Sequence, residues 1–333
     1  GYKPADLPAM TVFFEHAHIN GIEAIEEVVA GSHLEPTQLA AGPISGSMTH
    51  LRVGEALIST ADITGKFRAY GPLSTADYTL GALLAVDGPN SQWDYETISG
   101  DIGVFPPSIE HDAKYGKSTH WATITLPLED LLNRSSLYEL KLCTAFWDTP
   151  AMYRPTASRR HHVIDRLHSA LQHVEKYPRI LEASYARKAF LDDMIEALLR
   201  GYADVKGDEI KRRISFVSAS RIVRNAESYL RMHAQRPVHL QELCEHTNTS
   251  ERTLRRAFIE KYDMPPARYL GNWRLCQVRR TLSASNKLEL TVSDTALHFG
   301  FWELGRFASQ YRRLFGELPS QTLRRARTRM DST

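Results

Sequence analysis

The sequence predicts an α+β multidomain fold, with a β-rich front domain (a sandwich or small barrel with helices) followed by an all-α back domain. Three observations predict it. Short apolar segments broken by Gly, Pro and Asn recur at intervals of about ten residues over 46–126. From Leu128 onward the apolar residues fall at helical spacing instead. The charge also changes sign along the chain: residues 1–145 carry 8 Lys+Arg against 18 Asp+Glu, residues 146–217 carry 13 against 10, and residues 218–333 carry 20 against 11. At 333 residues the chain exceeds one ordinary core and suits two domains.

Composition narrows the class. A hydrophobic fraction of 42% with 24% charged residues is that of a packed globular protein, not a disordered one. No apolar run reaches membrane-spanning length and GYKPADLPAM has no signal-peptide pattern, so a cytoplasmic protein without a membrane partner is expected. Cys143, Cys244 and Cys276 are odd in number, far apart and not in CxxC form, which predicts three buried thiols rather than disulfides or zinc.

In chain order, residues 1–145 form the β-rich domain, with strands read in SMTHLRVGEALISTADI, TLGALLAVDG, SQWDYETIS, DIGVFPP and STHWATITL. Residues 146–203 form a helical segment. There Val163, Ile164, Leu167, Leu171 and Val174, and then Phe190, Leu191, Met194, Leu198 and Leu199, make two apolar stripes. Such stripes pair subunits of a homodimer or cover the open face of the β-domain. The polar, charged stretch 204–217 reads as a linker. Beyond it, 218–333 is helical nearly throughout, with breaks at Pro237, Pro265–Pro266, Gly300, Gly316 and Pro319, and seven helices fit.

Two similar units stand in this back domain, at about 238–262 and 291–315: a short helix, a tight turn, and a second helix that starts polar and ends in an aromatic followed by a cation. A helix-turn-helix braces its second helix so that the N-terminal polar residues of that helix reach base edges in a major groove. In the first unit Thr249 or Ser250 caps the second helix. With Leu254 and Phe258 inward, Arg252, Arg255 and Arg256 point outward, suited to guanine or to phosphate. In the second unit Phe307 and Tyr311 face inward. That leaves Glu303, Arg306, Ser309 and Gln310 for bases or backbone and Arg312 and Arg313 for phosphate. Double-stranded DNA is the partner these patterns predict. The terminal cations Arg324, Arg325, Arg327 and Arg329 extend the basic surface or lie in a disordered tail.

From Ser218 to Ala326 the sequence resembles the AraC/XylS family of bacterial transcription regulators. The resemblance is carried by TVSDTALHFGFWELGRFASQYRRLFGELPSQTLRR, with Ala296, Gly300, Phe301, Phe307, Tyr311, Phe315, Gly316 and Pro319 at the signature spacings. It implies two homeodomain-like helix-turn-helix subdomains joined by a long helix, Pro266 to Ala284, which set two recognition helices into successive major grooves. It further implies base-contacting positions at Arg252, Arg255 and Arg256, and at Leu304, Gly305, Arg306, Ser309 and Gln310. Leu304 and Gly305 depart from the longer polar residues usual there, so the first unit is expected to carry more of the affinity. SGDIGVFPPSIEH, residues 99–111, is similar to a turn and strand of the cupin-like effector domain that such regulators carry. The resemblance implies an activator in the bacterial nucleoid, commonly dimeric, that contacts RNA polymerase.

No cofactor is expected, only a small-molecule effector of unread identity. His111 stands nearly alone, with His16 and His18 ahead of the β region, so no metal site is predicted. Phe67, Tyr70, Tyr78, Trp93, Tyr95, Phe105 and Trp121 line an effector cavity or form plain core. Arg154, Arg159 and Arg160, in YRPTASRRHH at a helix start, would hold an anionic effector such as a nucleotide or cyclic dinucleotide, or make a solvated basic turn. An enzyme fused to a DNA-binding module finds no GxSxG, phosphate loop or HExxH, and Asp101 and His111 are too isolated to act alone. An effector-independent, dimeric architectural DNA-binding protein stays open.

Overall fold

A computed structural model describes residues 12–28, 34–138, 140, 142, 144–203, 218–234, 236–284 and 290–330. The 204–217 linker and Cys143 lie outside these residues. Cys276 is buried, whereas Cys244 is only half-buried.

Two antiparallel sheets make up the front half. The larger places β1 (Val12–Asn20), β3 (Ser45–Val53), β4 (Ala56–Thr64), β11 (Ser118–Leu126), β6 (Tyr78–Asp87), β9 (Ile102–Phe105) and β12 (Ala151–Tyr153) side by side. The smaller runs β2 (Glu35–Gln38), β5 (Phe67–Pro72), β10 (Glu110–Tyr115), β7 (Asn90–Gln92) and β8 (Tyr95–Thr97). A short helix α1 (Glu23–Val28) follows β1. The β region therefore begins well before residue 46, and His16 and His18 are on a strand rather than ahead of the sheet.

Alternation of side chains gives the larger sheet two different faces. On β6, Leu80, Ala82 and Leu84 face outward, as do Ala122, Ile124 and Leu126 on β11. All six belong to a core shared with the helical layer α2 (Leu128–Leu137), α3 (Thr144–Trp147), α4 (Ala157–Lys176) and α5 (Ser184–Gly201). The other face looks between the sheets and carries Ser59, Thr79, Gly81, Gly103, Thr123 and Thr125, small residues where a filled core would have Leu, Ile or Val. A cavity of about 90 Å³ remains there.

The stripes of α4 and α5, including Val163, Leu167, Val174, Phe190, Met194 and Leu198, are buried on that sheet. Of the two uses expected for these stripes, covering the open face of the β-domain is the one seen within the chain.

The back half comprises α6 (Ser218–Met232), α7 (Leu240–Thr247), α8 (Glu251–Tyr262), α9 (Pro266–Ser283), α10 (Val292–His298), α11 (Leu304–Phe315) and α12 (Pro319–Met330). Pro266 opens α9 at a position where its missing N–H costs nothing. Gly316 ends α11 in the left-handed conformation, φ 77°. The cationic terminal stretch is not a loose tail. It forms α12, with Arg325 on Glu317 and Arg327 donating to the Leu290 carbonyl oxygen.

Candidate nucleic-acid interface

The two helix-turn-helix units repeat one turn geometry. After α7 the chain turns through Asn248 (φ 49°), and the Thr249 N–H donates to the Cys244 carbonyl oxygen at 3.0 Å. After α10 it turns through Gly300 (φ 81°), and the Phe301 N–H donates to the Ala296 carbonyl oxygen at 2.9 Å. Each is a six-residue helix stop that returns the chain at a fixed angle. Gly300 is required twice over, since a Cβ there would also come within 2.7 Å of the Pro237 Cβ.

Ser250 caps α8, its hydroxyl accepting from the Thr253 N–H at 3.2 Å, while Thr249 bonds the Thr247 hydroxyl. Leu254, Ala257, Phe258 and Tyr262 are buried among Val223, Leu230, Leu243 and Trp273. Arg252, Arg255 and Arg256 are left on the solvent face, and they make no ion pair among the described residues.

In the second unit Phe307, Tyr311, Leu314 and Phe315 are buried. Glu303, Leu304, Arg306, Arg312 and Arg313 are exposed, and Gln310 is half-buried. Ser309 is exposed, but its hydroxyl donates to the Gly305 carbonyl oxygen of the preceding turn. Trp302, just ahead of α11, is 77% exposed.

The back half is tied to the front by buried charge, which the sequence did not announce. Arg68 on β5 donates to Asp112 on β10 at 2.9 Å and sits 2.8 Å from Glu227 on α6, a charge contact rather than an aligned hydrogen bond. Asp112 also accepts from Lys261 on α8 at 2.8 Å, and the Tyr262 and Tyr269 hydroxyls donate to Glu227. Burial alone would raise the Asp112 carboxyl; Arg68 and Lys261 more than reverse this and hold it well below the usual carboxylate range.

The second unit is docked as well. Gln38 donates to the Leu314 carbonyl oxygen, its own N–H reaches the Cys276 sulfur, and Arg279 on α9 pairs with Glu23. Phe67, Met48 and Ile63 share one apolar cluster with Val278, Phe307 and Phe315. The signal available in the sequence was a charge inside an apolar stripe: Glu227 between Val223, Ala226 and Leu230, and Arg279 between Cys276, Val278 and Leu282.

His111 lies beside this network and is pushed down to about 4, chiefly by burial, with Arg68 adding and Asp112 opposing. Its folded pKa lies below the unfolded value, so the unfolded chain takes up the proton first. Its contribution is full above about pH 6.5 and is lost as pH falls toward 4. Between pH 7 and 5 this is expected to cost about 2 kcal/mol. Urea titrations of the parent and His111→Gln at both pH values check it; an equal pH slope in the two would refute it.

The effector candidates are not brought together. Arg154 forks onto Asp101 at 2.9–3.0 Å and donates to the Glu96 carbonyl oxygen; Arg159 donates to Arg200 and Arg160 to Pro155 carbonyl oxygens. All three arginines of this turn are anchored within the chain. Tyr78 donates to Asp148 and Trp93 to the Glu110 carbonyl oxygen, both away from the cavity lining, and Trp121 is the one of the six that lines it.

Paired helix-turn-helix units on one long helix, docked on an antiparallel sandwich, define a helix-turn-helix protein with a front domain. A family model described as a helix-turn-helix domain matches residues 243–325. The XylDLEGF operon transcriptional activator 2 of Pseudomonas putida is 34% identical over 111 residues, 33% of this chain and 71% of that protein. Activator 1 of the same organism is 32% identical over 154 residues, 46% of this chain and 43% of that one, so the chain spans less than half of this relative. Among solved structures, a probable AraC family transcriptional regulator from Rhodopseudomonas palustris is 36% identical over 32% of this chain and 98% of its own, with a TM-score of 0.30. The AraC-like transcriptional activator CuxR is 13% identical, covers 80% and 96%, and has a TM-score of 0.38. The chain belongs to the AraC/XylS family of DNA-binding transcription regulators.

Proposed function

We propose that the chain is a sequence-specific activator of transcription that binds double-stranded DNA through α8 and α11 and is controlled by a small effector in the front domain. The observation that carries this is the capped N-terminal half of α8, with Arg252, Arg255 and Arg256 exposed and without ion pairs among the described residues, on a helix whose other face is locked in a core. Arg306, Arg312 and Arg313 give α11 the same sign of charge. The activator names of the Pseudomonas relatives favour activation over repression, and with it a contact to RNA polymerase. A homodimer acting at the nucleoid in the cytoplasm fits that role. The cavity between the sheets supports an effector site there in preference to the Arg154 turn.

Mobility-shift titration of the full chain against fragments of its source genome tests the reading. Retention of a few fragments at moderate salt against excess competitor DNA is expected. Binding indifferent to sequence would favour an architectural protein instead, and no binding would overturn the proposal.

A further inference from the structure

The cavity between the sheets is largely apolar, with Phe105 and Trp121 in its wall. Most of its polar lining is already paired within the fold: Thr79 bonds Thr125, Ser59 bonds His50, and the Asn90 amide bonds Thr119. Two groups are not. Among the described residues, Gln92 Nε2 and His111 Nδ1 have no hydrogen-bond partner, although both side chains are only 4% exposed and both line the cavity.

An unmet buried donor costs about 1–3 kcal/mol, and native proteins keep few of them. The two lie on one face: Gln92 on β7 is paired with Ala113 of β10, and His111 is two residues along that strand. The Tyr115 hydroxyl, 3.2 Å from His111 Nε2, has no other acceptor among the described residues and so donates to that nitrogen, leaving Nδ1 with its hydrogen. Both orphans are therefore donors.

The charge around the cavity selects against an ion. Among the described residues Lys114 is the one cation in the lining, and its ammonium is held on the Lys261 carbonyl oxygen at 3.1 Å and 3.6 Å from Asp263. Asp101 is neutralised by Arg154. A buried carboxylate or phosphate would find no uncommitted cation among the described residues and would lose several kcal/mol of hydration.

We propose that this cavity binds an uncharged, mainly apolar molecule of about one small ring, whose carbonyl, ether or hydroxyl oxygen accepts from Gln92 Nε2 and His111 Nδ1. The inference rests on placing the effector between the sheets. The size follows from the 90 Å³ available, somewhat less than the roughly 150 Å³ that holds a benzene ring in an engineered apolar cavity. Strand β10 gives occupancy a route outward, because His111 and Tyr115 face the cavity while the intervening Asp112 and Lys114 hold Lys261 at the end of α8.

The test follows the Trp121 indole resonance of the full chain, assigned with Trp121→Phe, during titration with cyclopentanone, cyclopentane or isobutyrate. Cyclopentanone is expected to shift it saturably, cyclopentane to bind more weakly, and isobutyrate to leave it unmoved. Gln92→Leu is expected to weaken cyclopentanone binding about fivefold, the worth of one net hydrogen bond. His111→Phe, which removes the other donor, serves as the second variant should the first not fold. Isobutyrate binding as tightly as cyclopentanone, unchanged affinity in both folded variants, or no saturable shift with any probe would overturn the proposal. DNA binding, followed separately by mobility shift, distinguishes failure here from failure of the regulator reading.

Discussion

Arg68→Met is expected to destabilise the chain by about 3–5 kcal/mol, the cost of removing one partner from a buried charge cluster. Methionine keeps most of the packing volume, so the loss comes from charge: Asp112 is left with Lys261 alone and Glu227 with two tyrosine hydroxyls. Arg68 is 3% exposed, and Asp112 and Glu227 hold its guanidinium charged in spite of that burial. Urea unfolding of parent and variant at pH 7 reads the difference, and a loss under 1 kcal/mol would refute it. The double change Arg68→Met, Glu227→Gln is expected to recover part of the loss, because it removes one stranded carboxylate and leaves Asp112 on Lys261. The cluster joins β5 and β10 of the front domain to α6 and α8 of the reader, so Arg68→Met is also expected to loosen their docking.

This coupling was the part of the molecule least legible in the sequence. Arg68 and Asp112 are 44 residues apart, Lys261 and Asp112 are 149 apart, and Glu23 and Arg279 are 256 apart. No local period brings such pairs together, and a charge inside an apolar stripe, as at Glu227 and Arg279, signals burial without naming the partner. The reader was legible for the opposite reason. Its helices are punctuated by Pro266, Gly300 and Gly316, and its cores are built from residues three and four apart, such as Leu254 and Phe258. The hairpin of β3 and β4 was visible as alternation around Gly54, whereas β1 is an edge strand with mixed spacing and β2 is four residues including Pro36. The cavity showed only as aromatics. The small residues beside them on the same sheet, Gly81, Gly103 and Ser59, fell within segments read as strands, but the sequence did not say that they share one face between two sheets.

Arg255→Ala and Arg256→Ala are each expected to weaken DNA binding by about 1–3 kcal/mol at a specific site, five- to more than a hundredfold. Both side chains stand on the solvent face of α8, within two turns of the Ser250 cap, where a recognition helix meets base edges. The two kinds of contact separate in the salt dependence. A guanidinium that reads guanine loses affinity for one sequence and leaves the slope of log K against log salt nearly unchanged. One that neutralises a phosphate loses affinity for all sequences and reduces that slope by about one. Arg306→Ala on α11 is expected to cost less, because its neighbours Leu304 and Gly305 offer no polar group and the Ser309 hydroxyl is turned onto its own helix. Mobility-shift titrations at three salt concentrations, with the specific site and a scrambled one, measure both quantities. Equal losses at α8 and α11 would mean that the two units share the reading evenly, and no loss at either α8 arginine would move the interface off that helix.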